Sequence, residues 1–261
     1  MGKQETTTAE GGEIIEPGGR LRLYVQEPLA PGAAFSVSEA QAHYLLHVMR
    51  ARPGQRLALF NGRDGEWLAE IATVAKRGVV LTCLKQTMPQ TGVPDLWLLF
   101  APVKKTPSDY LTQKATELGV SLLQPVMTRR TIVSRINAER MLANAVEAAE
   151  QSGRLSVPEI REAMSLEKAL ANWPGERTLY FCDEFGATAT NGDAKPLAQA
   201  ATSGAAAILT GPEGGFDGHE RDTLRGLSFV VPVTLGPRIL RADTAALAAL
   251  AIWQSAGGDW R

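Results

Sequence analysis

Thr210–Phe216 reads TGPEGGF and Leu235–Ala245 reads LGPRILRADTA, and these two stretches decide the fold. Each follows an apolar run with the length of a buried strand, Ala205–Leu209 and Phe229–Val233. Each precedes a segment patterned as a helix. Strand, glycine turn and helix, repeated in close succession, predict a parallel sheet with bare backbone at its carboxyl edge, where open α/β folds bind ligands. Glycine at such a turn lets a ligand approach the main chain. One stretch alone is better explained as a tight turn; the pair argues for a ligand site.

Upstream the alternation continues. A strand over Leu96–Phe100 leads to a helix over Ser108–Leu118, with Ser108 as N-cap and Gly119 as left-handed stop. Leu122–Val126 reads as a strand, Asn137 caps a helix running through Glu150, and Ser165–Trp173 is a short helix stopped by Pro174. Thr178–Cys182 is a strand, and Asp183–Ser203 is loop-like with a helical turn or two. This order predicts an α/β domain with a mainly parallel sheet covered on both faces.

The first third is patterned differently. Leu21–Val25, Leu57–Phe60, Trp67–Val74 and Val79–Leu84 read as strands, with a helix over Ser38–Met49 that Ser38 can cap. Turns at Asn61-Gly62, Asp64-Gly65 and Arg77-Gly78 make a meander that closes readily into a small β-barrel. Gln86–Pro94, polar between two X-Pro pairs, reads as a linker. The expected organisation is a polar leader over Met1–Gly19, a β-domain over Arg20–Lys85, the linker, and an α/β domain over Asp95–Arg261.

Composition narrows the classes. With 261 residues, 44% of them hydrophobic, the chain has room for two packed domains. A formal charge of −1 excludes a global field for nucleic acid, so any RNA contact needs a local basic patch. Cys83 and Cys182 have neither metal nor redox spacing and sit in apolar runs, which suits buried free thiols in a reducing cytoplasm. No apolar run reaches membrane-spanning length, so no membrane partner is expected. Met1-Gly2 with Thr6 fits a myristoylation pattern without any second anchoring signal and reads as coincidence.

No GxGxxG, Walker A lysine or HExxH is present, which counts against a conventional dinucleotide enzyme or P-loop NTPase. Asp217 and Glu220 have the spacing of a capping box. Glu213 would repel a phosphate from the Gly211–Gly215 loop, so a neutral or cationic nucleoside suits it better. Arg241 stands at the mouth of the apolar segment Ala245–Trp253, where a charge normally has a partner; Arg238 is equally well a solvated side chain, and Asp243 reads as a helix N-cap. His43 and His47, four apart, lack further ligands, so no metal is expected. Arginines cluster at Arg20, Arg22, Arg50, Arg52 and Arg56, and again at Arg129, Arg130, Arg135 and Arg140. Such clusters are either solvated faces or phosphate contacts.

GPEGGF and LGPRILRADTA resemble two signature motifs of the RsmE-type methyltransferases of the SPOUT superfamily. The likeness extends to Gln113–Val120 (QKATELGV), Glu147–Arg154 (EAAEQSGR) and Tyr44–Gly62. Thr210 departs from a usual aliphatic residue, and Asp243 from a more usual Glu. The resemblance implies an N-terminal PUA-like RNA-binding barrel, a C-terminal SPOUT α/β domain tied in a deep trefoil knot, and a homodimer paired through Ala245–Trp253. It implies S-adenosylmethionine as cofactor and 16S ribosomal RNA of the small ribosomal subunit as substrate, methylated at N3 of a uridine near its 3′ end.

Carried onto this sequence, cofactor binding falls on Leu209, Thr210, Gly211, Pro212, Glu213, Gly214, Gly215, Leu235, Gly236, Ile239 and Leu240. Uridine N3 carries a proton that must leave. Arg241 and Lys114 are therefore candidates to stabilise the uridinate, and Glu213 is a candidate base. Arg20, Arg22, Arg50, Arg52, Arg129 and Arg130 are the candidate RNA contacts. Two alternatives remain open on the residues: a non-catalytic ribosomal RNA-binding factor with the same fold, and an α/β enzyme using another nucleotide.

Overall fold

The computed structural model describes residues 12–16, 19–75, 78–103, 106–133, 135–183 and 194–260. They fall into two units, the first running to Gly92 and including Ala149–Ser156, the second Val93–Ala148 with the chain from Val157 onward.

The first unit holds β1 (Ile15–Glu16), β2 (Gly19–Arg20), β3 (Arg22–Tyr24), β4 (Ala34–Ser36), α1 (Glu39–His43), β5 (Arg56–Phe60), β6 (Glu66–Ala75) and β7 (Gly78–Met88). Five of the strands form one sheet in the order β3-β5-β6-β7-β4, antiparallel except for β3 beside β5. Alternating residues of these strands, Leu23, Leu57, Leu59, Ile71 and Leu81, and Leu21 just ahead of β3, share one core with Leu45 of the helical segment. A fully buried aliphatic side chain contributes about 2 kcal/mol, so this cluster outweighs any single surface pair. The helical segment is not one α-helix: Ser38 and Gln41 close a capping box on α1, and the chain then widens into a π-helical turn over Tyr44–Val48.

Two boundaries differ from the sequence reading. Ile14 is fully buried, and its amide donates to Arg56 O, so packed structure begins within the stretch read as leader. The rest of that leader, residues 1–11, 17 and 18, lies outside the described residues. Strand β7 also continues to Met88, into the stretch read as linker.

The second unit runs β8 (Leu96–Phe100), α2 (Thr106–Glu117), β9 (Leu122–Met127), α3 (Ala138–Ser152, its last turn in the first unit), β10 (Glu159–Ile160), β11 (Met164–Ser165), α4 (Leu166–Ala171), β12 (Thr178–Cys182), β13 (Lys195–Pro196), α5 (Leu197–Ala200), β14 (Ala206–Thr210), α6 (Gly218–Arg225), β15 (Val230–Thr234) and α7 (Ala242–Ala256). Its eight-stranded sheet has the order β10-β9-β8-β14-β12-β15-β13, with β11 beside β9, and every pairing is parallel. One face packs on Ala246, Ala249, Leu250 and Trp253, which share a stripe of α7, together with Leu111 and Ala115 of α2. Another core cluster joins Leu99, Phe181 and Leu209 to Leu166 of α4 and Leu224 of α6.

Local signals placed several element ends. Asn137 accepts from Arg140 N at 2.9 Å at the start of α3, and Ser165 caps α4. Gly119 sits at φ 81 just after α2, where an added Cβ would lie 2.7 Å from Gln254 Nε2. Ser108, expected as a cap, is instead inside α2, its hydroxyl donating to Val103 O at 2.9 Å.

Candidate active site

Strands β14, β12 and β15 are neighbours and parallel, so the chain leaves all three at the same edge of the sheet. The loops after β14 and β15 therefore converge and enclose a cavity of about 410 Å³. Its walls are Thr210–Glu213, Gly215 and Phe216 from the first loop, Leu235–Ala242 and Ala245 from the second, and Cys182 and Asp183 from the end of β12.

The glycines of these loops serve different ends. Gly215 N donates to Pro212 O at 2.9 Å across a tight turn, with Gly215 at φ 65. Phe216 packs edge-on against Phe181 at 5.1 Å between centroids. A Cβ on Gly211 would meet the Phe216 ring at 2.7 Å, so packing rather than backbone conformation demands glycine there. Gly236 has open space around it but sits at φ 114, which an L side chain rarely adopts.

Each loop runs into a helix. Asp217 Oδ1 accepts from Glu220 N at 2.7 Å and Glu220 Oε2 accepts from Asp217 N at 2.9 Å, closing the capping box read from the sequence. The Glu220 amide foremost, with Arg129 adding to it, holds the Asp217 carboxyl below its ordinary value. At α7 the N-cap is Arg241 rather than Asp243, and the Arg241 side chain makes no capping bond. Asp243 lies in the first turn, its Oδ1 accepting from Thr244 N at 2.8 Å. Acids are favoured both at the cap and in the first turn, so the sequence does not separate the two positions.

Of the residues expected to hold a cofactor, Thr210, Gly211, Pro212, Glu213, Gly215, Leu235, Gly236, Ile239 and Leu240 line the cavity. Leu209 is buried in the core, and Gly214 gives its carbonyl to Arg130 Nη1 at 2.8 Å. Glu213 and Arg241 also line the cavity, both exposed. Lys114 does not line it: its amine is paired with Glu117 one turn on, at 2.6 Å. The sequence reading also missed a wall. Asp183, only 2% exposed, is paired with Arg225 of α6 through Nε at 3.0 Å and through Nη2. An acid directly after an apolar strand was the signal available. Beside it Cys182, expected to be buried, is half-buried at the cavity wall, and desolvation pushes its thiol up to about 12.

The arginines divide. Arg22, expected at RNA, is instead internal to the first unit. Its Nε pairs with Glu66 at 2.8 Å, and Nη1 donates to Ala149 O and Glu150 O at 2.8 and 3.0 Å. Its Nη2 donates to Arg154 O at 2.9 Å, and the guanidinium lies 4.5 Å from the Phe60 ring centroid. Arg20 pairs with Glu13. Arg129 pairs with Asp217 at 3.1 Å, and Arg130 is committed to Gly214. Arg50 and Arg52 are exposed, as are His43 and His47, whose ring centroids are 4.6 Å apart. Among the described residues no group of three His, Cys, Asp or Glu side chains could hold a metal, and no helix is long and apolar enough to cross a membrane.

Fold and site together define an α/β protein that offers a small ligand the main chain of two glycine loops at one edge of a parallel sheet. A family model for an RNA methyltransferase domain matches residues 91–254, and a model for an RNA methyltransferase PUA domain matches residues 37–83. The chain belongs to this family of RNA methyltransferases. Ribosomal RNA small subunit methyltransferase E of Rickettsia conorii is 29% identical over 88% of this chain and 93% of its own length. The protein of the same name from Synechocystis is 31% identical over 88% of this chain and 76% of its own. The structure of ribosomal RNA small subunit methyltransferase E from Neisseria gonorrhoeae, bound to S-adenosyl methionine, is 30% identical and superposes with a TM-score of 0.81, covering 92% of this chain and 99% of that one.

Proposed function

We propose that this chain uses S-adenosylmethionine to methylate N3 of a uridine in 16S ribosomal RNA of the small ribosomal subunit, and does so in the cytoplasm. The observation that carries the reading is the convergence of TGPEGGF and LGPRILR on one cavity in a chain of the RNA methyltransferase family. The lining suits that cofactor. Gly211, Gly215 and Gly236 bring main chain to the cavity wall, and Phe216 and Leu240 offer apolar surface.

When bound, S-adenosylmethionine supplies a methyl group activated by its sulfonium. The residues here do the rest. Removing the N3 proton leaves negative charge on the uracil ring, and the exposed guanidinium of Arg241 at the cavity mouth is the group to stabilise it. Glu213, exposed at the cavity, is the candidate to take the proton. Arg50 and Arg52, within the matched PUA segment and free of ion pairs among the described residues, hold RNA phosphates. Leu247 and Ile252 of α7 are only half-buried, which supports pairing of two copies through this helix. Family likeness supports the trefoil knot.

Calorimetry of the full chain with S-adenosylmethionine, ATP and NAD tests the cofactor. Transfer of labelled methyl to small-subunit particles lacking the mark, followed by nucleoside analysis, tests the product. Binding of S-adenosylmethionine alone and appearance of 3-methyluridine are expected. Preference for ATP or NAD, or label on another base or on ribose, overturns the proposal.

A further inference from the structure

We infer that Arg130 is a positioning residue for the cofactor loop, setting the orientation of the Gly214–Gly215 peptide, and not a contact for RNA. That peptide is held at both ends. Its carbonyl accepts from Arg130 Nη1 at 2.8 Å, and its N–H donates to Pro212 O at 2.9 Å. Glycine on both sides removes the steric barrier that normally selects one orientation of a peptide plane. Gly215 sits at φ 65 and lines the cavity, so a flip would change which polar backbone groups the loop offers a ligand. The two hydrogen bonds select one arrangement, and only the Arg130 bond comes from outside the loop.

The donor is itself well placed. Arg130 rides on a turn closed by Thr131 N to Thr128 O at 3.1 Å and by Thr128 N to Thr131 Oγ1 at 2.9 Å. Its neighbour Arg129 anchors that turn to the start of α6, with its amide on Glu220 Oε1 at 2.8 Å and its guanidinium on Asp217 Oδ2 at 3.1 Å. Glu220, 6% exposed, thus accepts from both the turn and the loop end. The stem of Arg130 lies along Gly214, since a Cβ built there would be 3.5 Å from Arg130 Cβ and 3.6 Å from Cδ. The guanidinium is exposed and directs its Nη1 at the loop carbonyl, which makes it a support for the loop.

The inference rests on the reading that Gly211–Gly215 holds S-adenosylmethionine. Its test uses the full chain as Arg130→Ala and Arg130→Lys, with calorimetry for the cofactor, steady-state kinetics, and filter binding of RNA across a salt series. Arg130→Ala is expected to raise Kd and KM for S-adenosylmethionine about tenfold, the loss of one charge-assisted hydrogen bond. At saturating cofactor kcat should stay within about twofold. Lysine should recover most of the loss, because its ammonium can reach the same carbonyl. RNA affinity and its salt slope should match wild type in both variants. Unchanged cofactor affinity in Arg130→Ala overturns the inference, as does an equal defect in the lysine variant or a lower salt slope for RNA. A wild-type chain that fails to bind S-adenosylmethionine refutes the underlying reading instead.

Discussion

Replacing Arg22 with alanine should cost stability, not RNA affinity. The Arg22 side chain is 11% exposed, as is that of its partner Glu66. Alanine would remove the ion pair to Glu66, the donors to Ala149 O, Glu150 O and Arg154 O, and the contact with the Phe60 ring. Breaking a buried pair from one side costs about 3–5 kcal/mol, because the remaining charge stays desolvated. Thr87 Oγ1 still donates to Glu66 Oε1 at 2.9 Å, which places the expectation near the lower end of about 3 kcal/mol. Arg22→Met with Glu66→Gln should cost less than Arg22→Ala alone, since neither variant group leaves a bare charge. The assay is native-state hydrogen exchange of the β5 and β6 amides against urea, which reports opening of the first unit by itself. The reasoning fails if Arg22→Ala lowers protection by less than about 0.5 kcal/mol while RNA affinity drops, for Arg22 would then be a phosphate contact.

Gly211→Ala should drive the Phe216 ring from its place, because the new Cβ would stand 2.7 Å from it. A loss of about 1–3 kcal/mol in stability and a weaker hold on S-adenosylmethionine are expected by urea melts and calorimetry. Asp217 titrates below its ordinary value, so its contribution is present above the unfolded value of 3.8 and is lost as pH falls through the folded one. The variant Asp217→Asn, which can still cap α6, should show a flatter fall of melting temperature under acid than wild type. Cys182, with its thiol raised to about 12, should resist alkylation at neutral pH in the folded chain and react once urea is added, as read by mass spectrometry of its peptide.

What the sequence made legible was local. The glycine loops, the Asp217–Glu220 box, the Asn137 cap and the Gly119 stop each depend on residues a few positions apart, and all stand in the structure. The strand order was not legible, because β14 reaches back to lie between β8 and β12 and nothing local to any of them encodes that pairing. Asp183 was missed for the same reason: it becomes a cavity wall only when β12 is flanked by β14 and β15. The roles of the arginines depended on still longer separations. Arg22 finds its acceptors at Ala149–Arg154 and Arg130 finds its own at Gly214, so charge clustering in sequence said little about which guanidiniums stay free.

Those acceptors of Arg22 also make the first unit discontinuous, since Ala149–Ser156 belongs to it. A chain growing on the ribosome reaches Gly92 with the strands of that unit complete, yet Arg22 and the Tyr24 amide must wait for Ala149, Glu150 and Arg154 to emerge. Vectorial synthesis, which ordinarily lets an amino-terminal domain settle first, leaves this one open until the first stretch of the next, Val93–Ala148, has been made. A fragment cut at Gly92 is therefore the nascent state held still, and any RNA affinity it shows belongs to an unfinished fold.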